Sequence, residues 1–241
     1  MTEIRTRAVT YAADGLDMTG YLALPGGSGP GPAVLIGPEG PGVSDVERGR
    51  AEALAELGYV ALAFDLHGGR YFREPEDMNA RCLPLLADAG RLRGIGRAAL
   101  DVLTAEPRTD AGRIGAIGYG TGGAVALELG RDGAPLKAIG TINALMTGGV
   151  AESARIRCPV WAGVGSEDPI MTPARREAFT TELQQAAVDW RLTVYGGAHH
   201  AFPYPPVDHP TVPGVAFHPA HAARAWRDVV ALLGECVPVD N

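Results

Sequence analysis

The chain has 241 residues, 46% of them apolar, and its 28 acidic residues exceed its 21 Lys and Arg residues, for a net charge of −7. This length and composition are sufficient for a sizeable core and predict a single domain over residues 1–241. The negative charge and the lack of a basic tract disfavour nucleic acid and anionic membranes as partners and favour a small-molecule substrate.

The first residues and the cysteines indicate the compartment. Residues 1–20 contain Arg5, Arg7 and Asp17 where a secretory signal would be apolar, and no apolar run approaches the roughly 18 residues that span a bilayer. The cysteines are odd in number and scattered, without the spacing of a disulfide framework or a metal site; they are Cys82, Cys158 and Cys236. We therefore expect a soluble cytoplasmic protein, a monomer or homodimer, with no cofactor.

Short apolar runs alternate with helical patterns along the chain. Residues 9–11 and 16–24, on either side of Asp14-Gly15, predict an N-terminal hairpin. Six later runs have the length of buried strands: residues 33–36, 59–64, 113–117, 136–141, 160–164 and 190–194. The predicted helices are residues 46–57, 91–103, 124–129, 174–187 and 219–233. This alternation predicts an α/β fold, with a mostly parallel central sheet and helices on both faces.

The run at residues 114–123 places Gly120 where a nucleophile is expected. An apolar strand, a Gly-x-X-x-Gly turn with X at position 120, and a helical run form the layout of a nucleophile elbow, in which X is normally Ser or Cys. The neighbouring glycines, Gly118 and Gly122, fit this turn because it leaves no room for a Cβ atom. Gly120 itself would leave space for a water molecule or a substrate atom.

Other polar residues follow predicted strands, where the ligand crevice of an open α/β sheet lies. Glu39 follows the first central strand, and Asp168 and His200 follow the last two. Elbow, acid and histidine in this order are typical of α/β-hydrolases. We predict a hydrogen bond from His200 Nδ1 to Asp168, which orients His200 opposite Gly120 as a general base. Glu167 is the alternative acid, and His199 is the alternative histidine.

Two backbone N–H groups are predicted to form an oxyanion hole: that of Thr121, and one from the loop that contains Glu39 and Gly40. The Glu39 side chain is either a solvated turn acid or a second acid/base group in the pocket, whose pKa burial would raise. Two side chains are weighed as replacement nucleophiles. Cys82 has no basic neighbour in sequence and is better explained as structural, and a side chain in the position of Thr121 normally points away from the pocket.

The remaining histidines and cysteines indicate no metal site. Of the histidines at positions 67, 209, 218 and 221, only His218 and His221 are helix neighbours, and both are expected near an exposed tail. Cys158 is interpreted as a small buried apolar residue. Cys236 is expected in a frayed tail.

Almost the whole chain resembles the dienelactone hydrolase family of α/β-hydrolases. The similarity lies in residues 37–40, 57–66, the elbow with residues 125–129, residues 165–169, 188–202 and 213–217. The resemblance implies the α/β-hydrolase fold. It also implies that His200, rather than His199, is the triad histidine, that Asp168 is its acid, and that Glu39 is the glutamate that contacts the thiol in the resting enzyme.

The sequence departs from the family pattern at three places. Gly120 replaces the elbow cysteine, and residues 142–146 replace a His-Gly-Gly segment. Tyr204 stands where other members have an arginine that binds a substrate carboxylate, which leaves Arg70 or Arg73 as substitutes and Tyr119 as a further candidate contact. A carboxylated dienelactone is therefore a poor candidate substrate.

Three functional hypotheses follow. The first is an enzyme that uses His200, Asp168 and the oxyanion hole for non-covalent general-base chemistry on a small ester, lactone or enolisable metabolite, by hydrolysis, cyclisation or isomerisation. The second is a non-catalytic ligand-binding protein, and the third is an inactivated variant of an ordinary cysteine or serine hydrolase. The retained acid, histidine and loop glutamate favour the first hypothesis.

Overall fold

An eight-stranded sheet organises the protein, which we analyse in a computed structural model that describes residues 3–144, 146–206 and 212–240. Leu145 and His209 lie outside the described residues. The strands are β1 (Arg5–Ala13), β2 (Leu16–Leu24), β3 (Gly31–Gly37), β4 (Val60–Ala63), β5 (Thr109–Tyr119), β6 (Ala138–Ile142), β7 (Val160–Gly165) and β8 (Trp190–Tyr195). Their order in the sheet is β1-β2-β4-β3-β5-β6-β7-β8. The hairpin β1–β2 joins the sheet through an antiparallel pairing of β2 with β4, and the six strands β3 to β8 are parallel to one another.

Helices cover both faces of this sheet. They are α1 (Asp45–Glu56), α2 (Pro75–Leu86), α3 (Ala89–Ala105), α4 (Gly120–Arg131), α5 (Val150–Ser153), α6 (Pro173–Gln185) and α7 (Pro219–Cys236). Leu54 of α1 and Val229 of α7 belong to one buried cluster, whereas residues of α3, α4 and α6 belong to the other. Because β3 is buried on both faces, Leu35 and Ile36 enter opposite clusters. The predicted fold class is confirmed.

Two helices, α2 and α5, were missing from the prediction, and α4 begins a full turn earlier than predicted. Helix α2 contains Pro84 in its interior, and proline normally ends a helical pattern. Helix α4 begins at Gly120 rather than at residue 124, since its glycine-rich first turn has little intrinsic helix propensity. The expected need for small residues is confirmed: a Cβ on Gly118 would lie 2.4 Å from the carbonyl oxygen of Gly122.

Ser44 caps helix α1 at the edge of the sheet where the candidate site lies. Its hydroxyl accepts a hydrogen bond from Val46 N at 3.0 Å, and Glu47 Oε2 accepts one from Ser44 N at 2.7 Å. This reciprocal pair is a capping box, and both side chains are buried. The cap therefore holds the carboxylate of Glu47 in a defined position at the start of α1.

We expect the Ser44→Ala substitution to lower the free energy of unfolding by about 1 kcal/mol, because it removes the acceptor for an N-terminal N–H group of α1. Urea denaturation followed by circular dichroism measures the change. Thr172→Ala is the matched control, since the Thr172 hydroxyl caps α6 through a longer, 3.4 Å bond in an exposed position. Equal destabilisation by the two substitutions would contradict the role given to the buried cap.

Candidate active site

The carboxyl edge of the parallel strands gathers the candidate residues. Glu39 lies in the loop after β3, Gly120 directly after β5, Asp168 after β7 and His200 after β8. Strands β3, β5, β6, β7 and β8 are consecutive neighbours in the sheet. These loops therefore emerge at one edge, as expected of ligand sites in open α/β sheets.

His200 and Asp168 form the expected hydrogen bond, with 2.8 Å between Nδ1 and Oδ2. The other carboxylate oxygen of Asp168 accepts hydrogen bonds from the backbone N–H groups of Ile170 and Met171 at 2.8 and 2.9 Å. Both members of the pair are buried. An ionised Asp168 accepts a hydrogen bond from the Nδ1–H group, so that Nε2 is the atom of His200 left for a substrate or water.

The backbone of His200 is held by the segment at residues 214–216. His200 N donates to Gly214 O at 3.1 Å, and Ala216 N donates to His200 O at 3.3 Å. The preceding His199 is only partly buried and does not share this bridge in the described residues. The alternative acid, Glu167, is exposed and accepts a hydrogen bond from Ser166 Oγ at 3.1 Å. The geometry therefore brings together Asp168 and His200 rather than their neighbours.

The surroundings of His200 raise its affinity for a proton. Burial alone would lower the pKa of His200, but its hydrogen bond to Asp168 and the negative charges of Glu39 and Asp168 outweigh burial and hold this pKa above its usual value. Burial would likewise raise the pKa of Asp168, yet the hydrogen bond and charge of His200 and the two backbone N–H groups keep that pKa below its usual value. His200 therefore gains a proton more readily than an isolated histidine.

The space beside Gly120 is filled by Glu39, which corrects the expectation of room for a water or substrate atom. A Cβ built on Gly120 would lie 1.7 Å from Glu39 Oε1 and 2.4 Å from its Cδ. Glu39 is 5% exposed, so it is not the solvated turn acid of the first alternative. Gly120 has a φ of +43°, a left-handed conformation that favours glycine, and is itself partly exposed.

One of the two candidate oxyanion donors already has an acceptor. Gly40 N donates to Glu39 Oε1 at 3.0 Å. The carbonyl oxygen of the same residue lies 2.8 Å from His67 Nε2 and accepts a hydrogen bond from Cys82 Sγ at 3.3 Å. Thr121 is the second residue of α4, whose first-turn N–H groups lack partners within the helix. The backbone of Gly40 is thus held through both its N–H group and its carbonyl oxygen, and the N–H group points at the Glu39 carboxylate.

Cys82 lies beside this loop without the features of an activated thiol. It is buried on α2, and its side chain interacts with that of Thr121. Burial raises the pKa of Cys82 to about 11, and the charge of Glu39 adds to that rise. A thiol with this pKa is almost entirely protonated at neutral pH, so that the structural interpretation of Cys82 is the better one.

Tyr204 and Tyr119 are buried beneath the loops. Their rings pack edge to face with centroids 5.5 Å apart, and the hydroxyl of Tyr204 donates to Glu47 Oε1. Burial and the charges of Glu47 and Glu39 raise the pKa of Tyr204 well above its usual value. Tyr204 is therefore a neutral hydrogen-bond donor to Glu47, and any contact of these tyrosines with substrate is still a proposal.

Arg70 and Arg73 lie apart from the tyrosines, on the exposed loop after β4. The guanidinium of Arg70 stacks over Phe72, with 4.8 Å between Cζ and the ring centroid, and that of Arg73 lies 5.7 Å from the centroid of Tyr71. The loop is joined to the loop that contains Glu39 through a backbone hydrogen bond of 2.9 Å from Phe72 N to Pro41 O. Both arginines are exposed, on a loop that contacts the Glu39 loop.

The other histidines and cysteines have structural surroundings, and two expectations need correction. His218 caps α7, and His221 is buried with its Nε2 3.0 Å from Gly196 O, rather than both lying near an exposed tail. Cys236 is the last residue of α7 and is half-buried, not part of a frayed tail, while Cys158 is buried as expected. Within the described ranges, no group of three or more His, Cys, Asp or Glu residues is arranged to hold a metal ion.

Asn143 was missed by the sequence analysis. It follows β6, between the elbow and the Asp168 loop, and has a left-handed φ of 56°. Among the described residues, both its Oδ1 and its Nδ2 are buried without a hydrogen-bond partner. The available signal was the departure from the family pattern at residues 142–146. An unpaired buried amide is costly, so that Asn143 is a candidate for binding substrate or water.

Comparisons with known proteins show similar chains that match most of this sequence. A model of the dienelactone hydrolase family matches residues 18–237. A solved structure described as a dienelactone hydrolase-like promiscuous phosphotriesterase from metagenomic libraries is 33% identical, with 97% of this chain and 98% of that chain covered and a TM-score of 0.91. A probable 2-oxo-3-(5-oxofuran-2-ylidene)propanoate lactonase from Bradyrhizobium is 28% identical, over 93% of this chain and 92% of the relative. A carboxymethylenebutenolidase from Pseudomonas strain P51 is 28% identical over 68% of this chain and 71% of the relative.

In the described part of the chain, no helix combines the length and the apolar character needed to cross a bilayer.

Proposed function

The chain belongs to the dienelactone hydrolase family, and we propose that it acts without a nucleophile at the elbow, with His200 as a general base that Asp168 orients. Membership of this family makes it an enzyme of the α/β-hydrolase class. The proposed substrate is a small ester, lactone or enolisable carbonyl compound, and the reaction is hydrolysis, cyclisation or isomerisation without a covalent intermediate.

A single observation carries the proposal: His200 and Asp168 are joined by a 2.8 Å hydrogen bond at an elbow whose central residue has no side chain. The carboxylate fixes the tautomer and stabilises the imidazolium that forms when His200 accepts a proton. General-base catalysis contributes about 10²–10⁴-fold, and the remaining oxyanion donor, the N–H group of Thr121, about 10²–10³-fold. These contributions favour activated substrates over amides.

The names of two relatives support lactones as the substrate class, since one relative is a probable lactonase and the other a carboxymethylenebutenolidase. The pocket differs from the pattern expected for carboxylated lactones. Tyr204 stands in place of the family's carboxylate-binding arginine, and its hydroxyl donates a hydrogen bond to Glu47. Exposed Arg70 and Arg73 are the proposed contacts for an anionic group, at the mouth rather than in the buried part of the site.

We expect the protein to turn over at least one member of a panel of small aryl esters, enol lactones and enolisable ketones, with a linear time course that lacks an initial burst of product. A burst equal to the enzyme concentration signals an acyl-enzyme, and the proposed site has no nucleophile to form one. Stopped-flow absorbance with para-nitrophenyl acetate measures the burst. Turnover with a stoichiometric burst would contradict the non-covalent mechanism. Ligand binding without turnover of any panel member would instead favour a binding protein.

A further inference from the structure

Glu39 occupies the position that the missing nucleophile would take. A bond from Cβ to a hydroxyl or thiol heteroatom is of similar length to the 1.7 Å that separates Glu39 Oε1 from a Cβ built on Gly120. Any side chain at position 120 and the present placement of the Glu39 carboxylate are therefore mutually exclusive. Glycine at the elbow is what admits the glutamate.

The two carboxylate oxygens of Glu39 have different surroundings. Oε1 accepts a hydrogen bond from Gly40 N at 3.0 Å and lies at the N-terminal end of α4. Oε2 is buried and has no hydrogen-bond partner among the residues that the structure describes. One oxygen thus anchors the carboxylate, and the other is left for a hydrogen-bond donor or an acidic C–H group.

Glu39 and His200 are close enough to interact through their charges. Asp168 occupies Nδ1 of His200, so that Nε2 is its remaining proton-transfer atom. The pair consequently offers two proton-transfer atoms, Oε2 of Glu39 and Nε2 of His200, and the Glu39 carboxylate lies beside a partly exposed Gly120. This combination suits an acid and a base that act on one substrate.

Chemical considerations favour Glu39 as a base rather than as a nucleophile toward esters. A carboxylate that attacked an ester carbonyl would form a tetrahedral intermediate that contains two oxygen leaving groups. The carboxylate is the far weaker base and would be expelled before an alkoxide, which returns the starting ester. Removal of a proton requires no such leaving group.

We propose that Glu39 replaces the elbow nucleophile as a proton-transfer group, and that Glu39 and His200 together move a proton between two carbons of a small unsaturated lactone or similar enolisable carbonyl compound. This inference rests on the proposed function for the His200–Asp168 pair and specifies the reaction as isomerisation, in which Glu39 is the base and His200 the acid in the forward direction.

The reaction balances without a co-reactant. Glu39 removes a proton from the carbon next to the carbonyl group, and the electron pair of that C–H bond moves into the conjugated system. The double bond shifts, and the far carbon forms a new C–H bond with a proton from His200. Glu39 is then a carboxylic acid and His200 a neutral imidazole, and transfer of the proton from Glu39 to His200 restores the pair. In the reverse direction His200 is the base and Glu39 the acid.

The test uses α-angelica lactone, an enol lactone whose double bond can migrate into conjugation with the carbonyl group and whose hydrolysis gives a keto acid. Proton NMR in deuterium oxide follows migration, deuterium uptake at the ring carbons and hydrolysis in one sample. We expect the parent protein to accelerate migration and uptake. Glu39→Gln should reduce both by about 10²-fold or more, the usual loss of a general base. Glu76→Gln, which removes an exposed carboxylate on α2, should reduce neither.

A second variant keeps the test independent of the folding of Glu39→Gln. Gly120→Ala retains Glu39 but forces its carboxylate away from the elbow, and it should cause the same loss. Unchanged migration in a folded Glu39→Gln or Gly120→Ala protein would overturn the inference. If the parent hydrolyses the lactone but neither isomerises it nor exchanges its protons, the inference fails while the proposed function stands. If the parent does none of these with any panel member, both fail.

Discussion

Replacing His200 by alanine is expected to lower kcat/KM for the best substrate of the panel by about 10²–10⁴-fold, the range that a positioned general base contributes. The loss should fall mainly on kcat, because His200 is proposed to act on the proton transferred in the transition state rather than on ground-state binding. His199→Ala is the matched control, since it removes the adjacent histidine and leaves the pair with Asp168 in place. Equal losses in the two variants would contradict the assignment.

Asp168→Asn tests the same assignment through its pH dependence. Hydrogen bonding to Asp168 and the negative charges of Glu39 and Asp168 hold the pKa of His200 above its usual value against the effect of burial. In hydrolysis His200 acts as a general base in its deprotonated form, so that the rate of ester hydrolysis by the parent should rise with pH through this raised pKa. Removing the charge of Asp168 lowers the pKa of His200 and moves the rise to lower pH, while the plateau falls because the tautomer is no longer fixed.

The control for this pH experiment is Glu167→Gln, which removes one negative charge from an exposed neighbour of Asp168. Its profile should coincide with that of the parent. A shift of the Asp168→Asn profile toward higher pH would mean that Asp168 does not stabilise the imidazolium, and would exclude the pair as the source of the titration.

Gly120→Cys is expected to create a cysteine hydrolase and to raise the rate of aryl ester hydrolysis by about 10²–10³-fold. The new side chain cannot coexist with Glu39 in its present place, because the Cβ would lie 1.7 Å from Oε1. Expulsion of the carboxylate frees Gly40 N, which now donates to Glu39, to act as an oxyanion donor. A burst of para-nitrophenol, followed by a mass increase of the protein by one acyl group, measures the acyl-enzyme.

Three controls separate this gain from simpler effects. Gly94→Cys introduces a thiol at an exposed position of α3, where a Cβ meets no other atom within 4 Å, and should give no burst. Gly120→Ala should carry the same strain at positive φ without a nucleophile. Adding His200→Ala to Gly120→Cys should abolish the gain, since the thiol then lacks its base. A folded Gly120→Cys protein that neither acylates nor hydrolyses would show that more than residue 120 separates this site from hydrolase chemistry.

Much of the fold could be predicted from local patterns. Strand β3, buried on both faces, appears in the sequence as a continuous apolar run, and the hairpin β1–β2 is indicated by Asp14-Gly15 between two strand-like segments. Helix α2 could not be predicted in this way, because Pro84 interrupts a weakly amphipathic segment that becomes helical through packing.

Parts of the candidate site were also predictable from strand ends and chain order. Asp168 and His200 each follow a strand of the parallel sheet, and this placement together with the chain order of elbow, acid and histidine predicted the hydrogen bond that joins them. The elbow was recognisable from its glycines. A Cβ on Gly118 would collide with Gly122, and a Cβ on Gly122 would collide with Gly37 at the end of β3.

What the sequence by itself determined was therefore the parallel α/β sheet and the glycine at the centre of the turn after β5, and it predicted an acid and a histidine after later strands. Only the tertiary structure decided that the Glu39 carboxylate fills the space beside Gly120, and that the amide of Asn143 is buried without a partner in the described residues. Both facts depend on how loops from different strands approach one another. Such distances arise from the packing of the whole sheet, whereas periodicity and turn residues report only on a chain segment and its immediate neighbours.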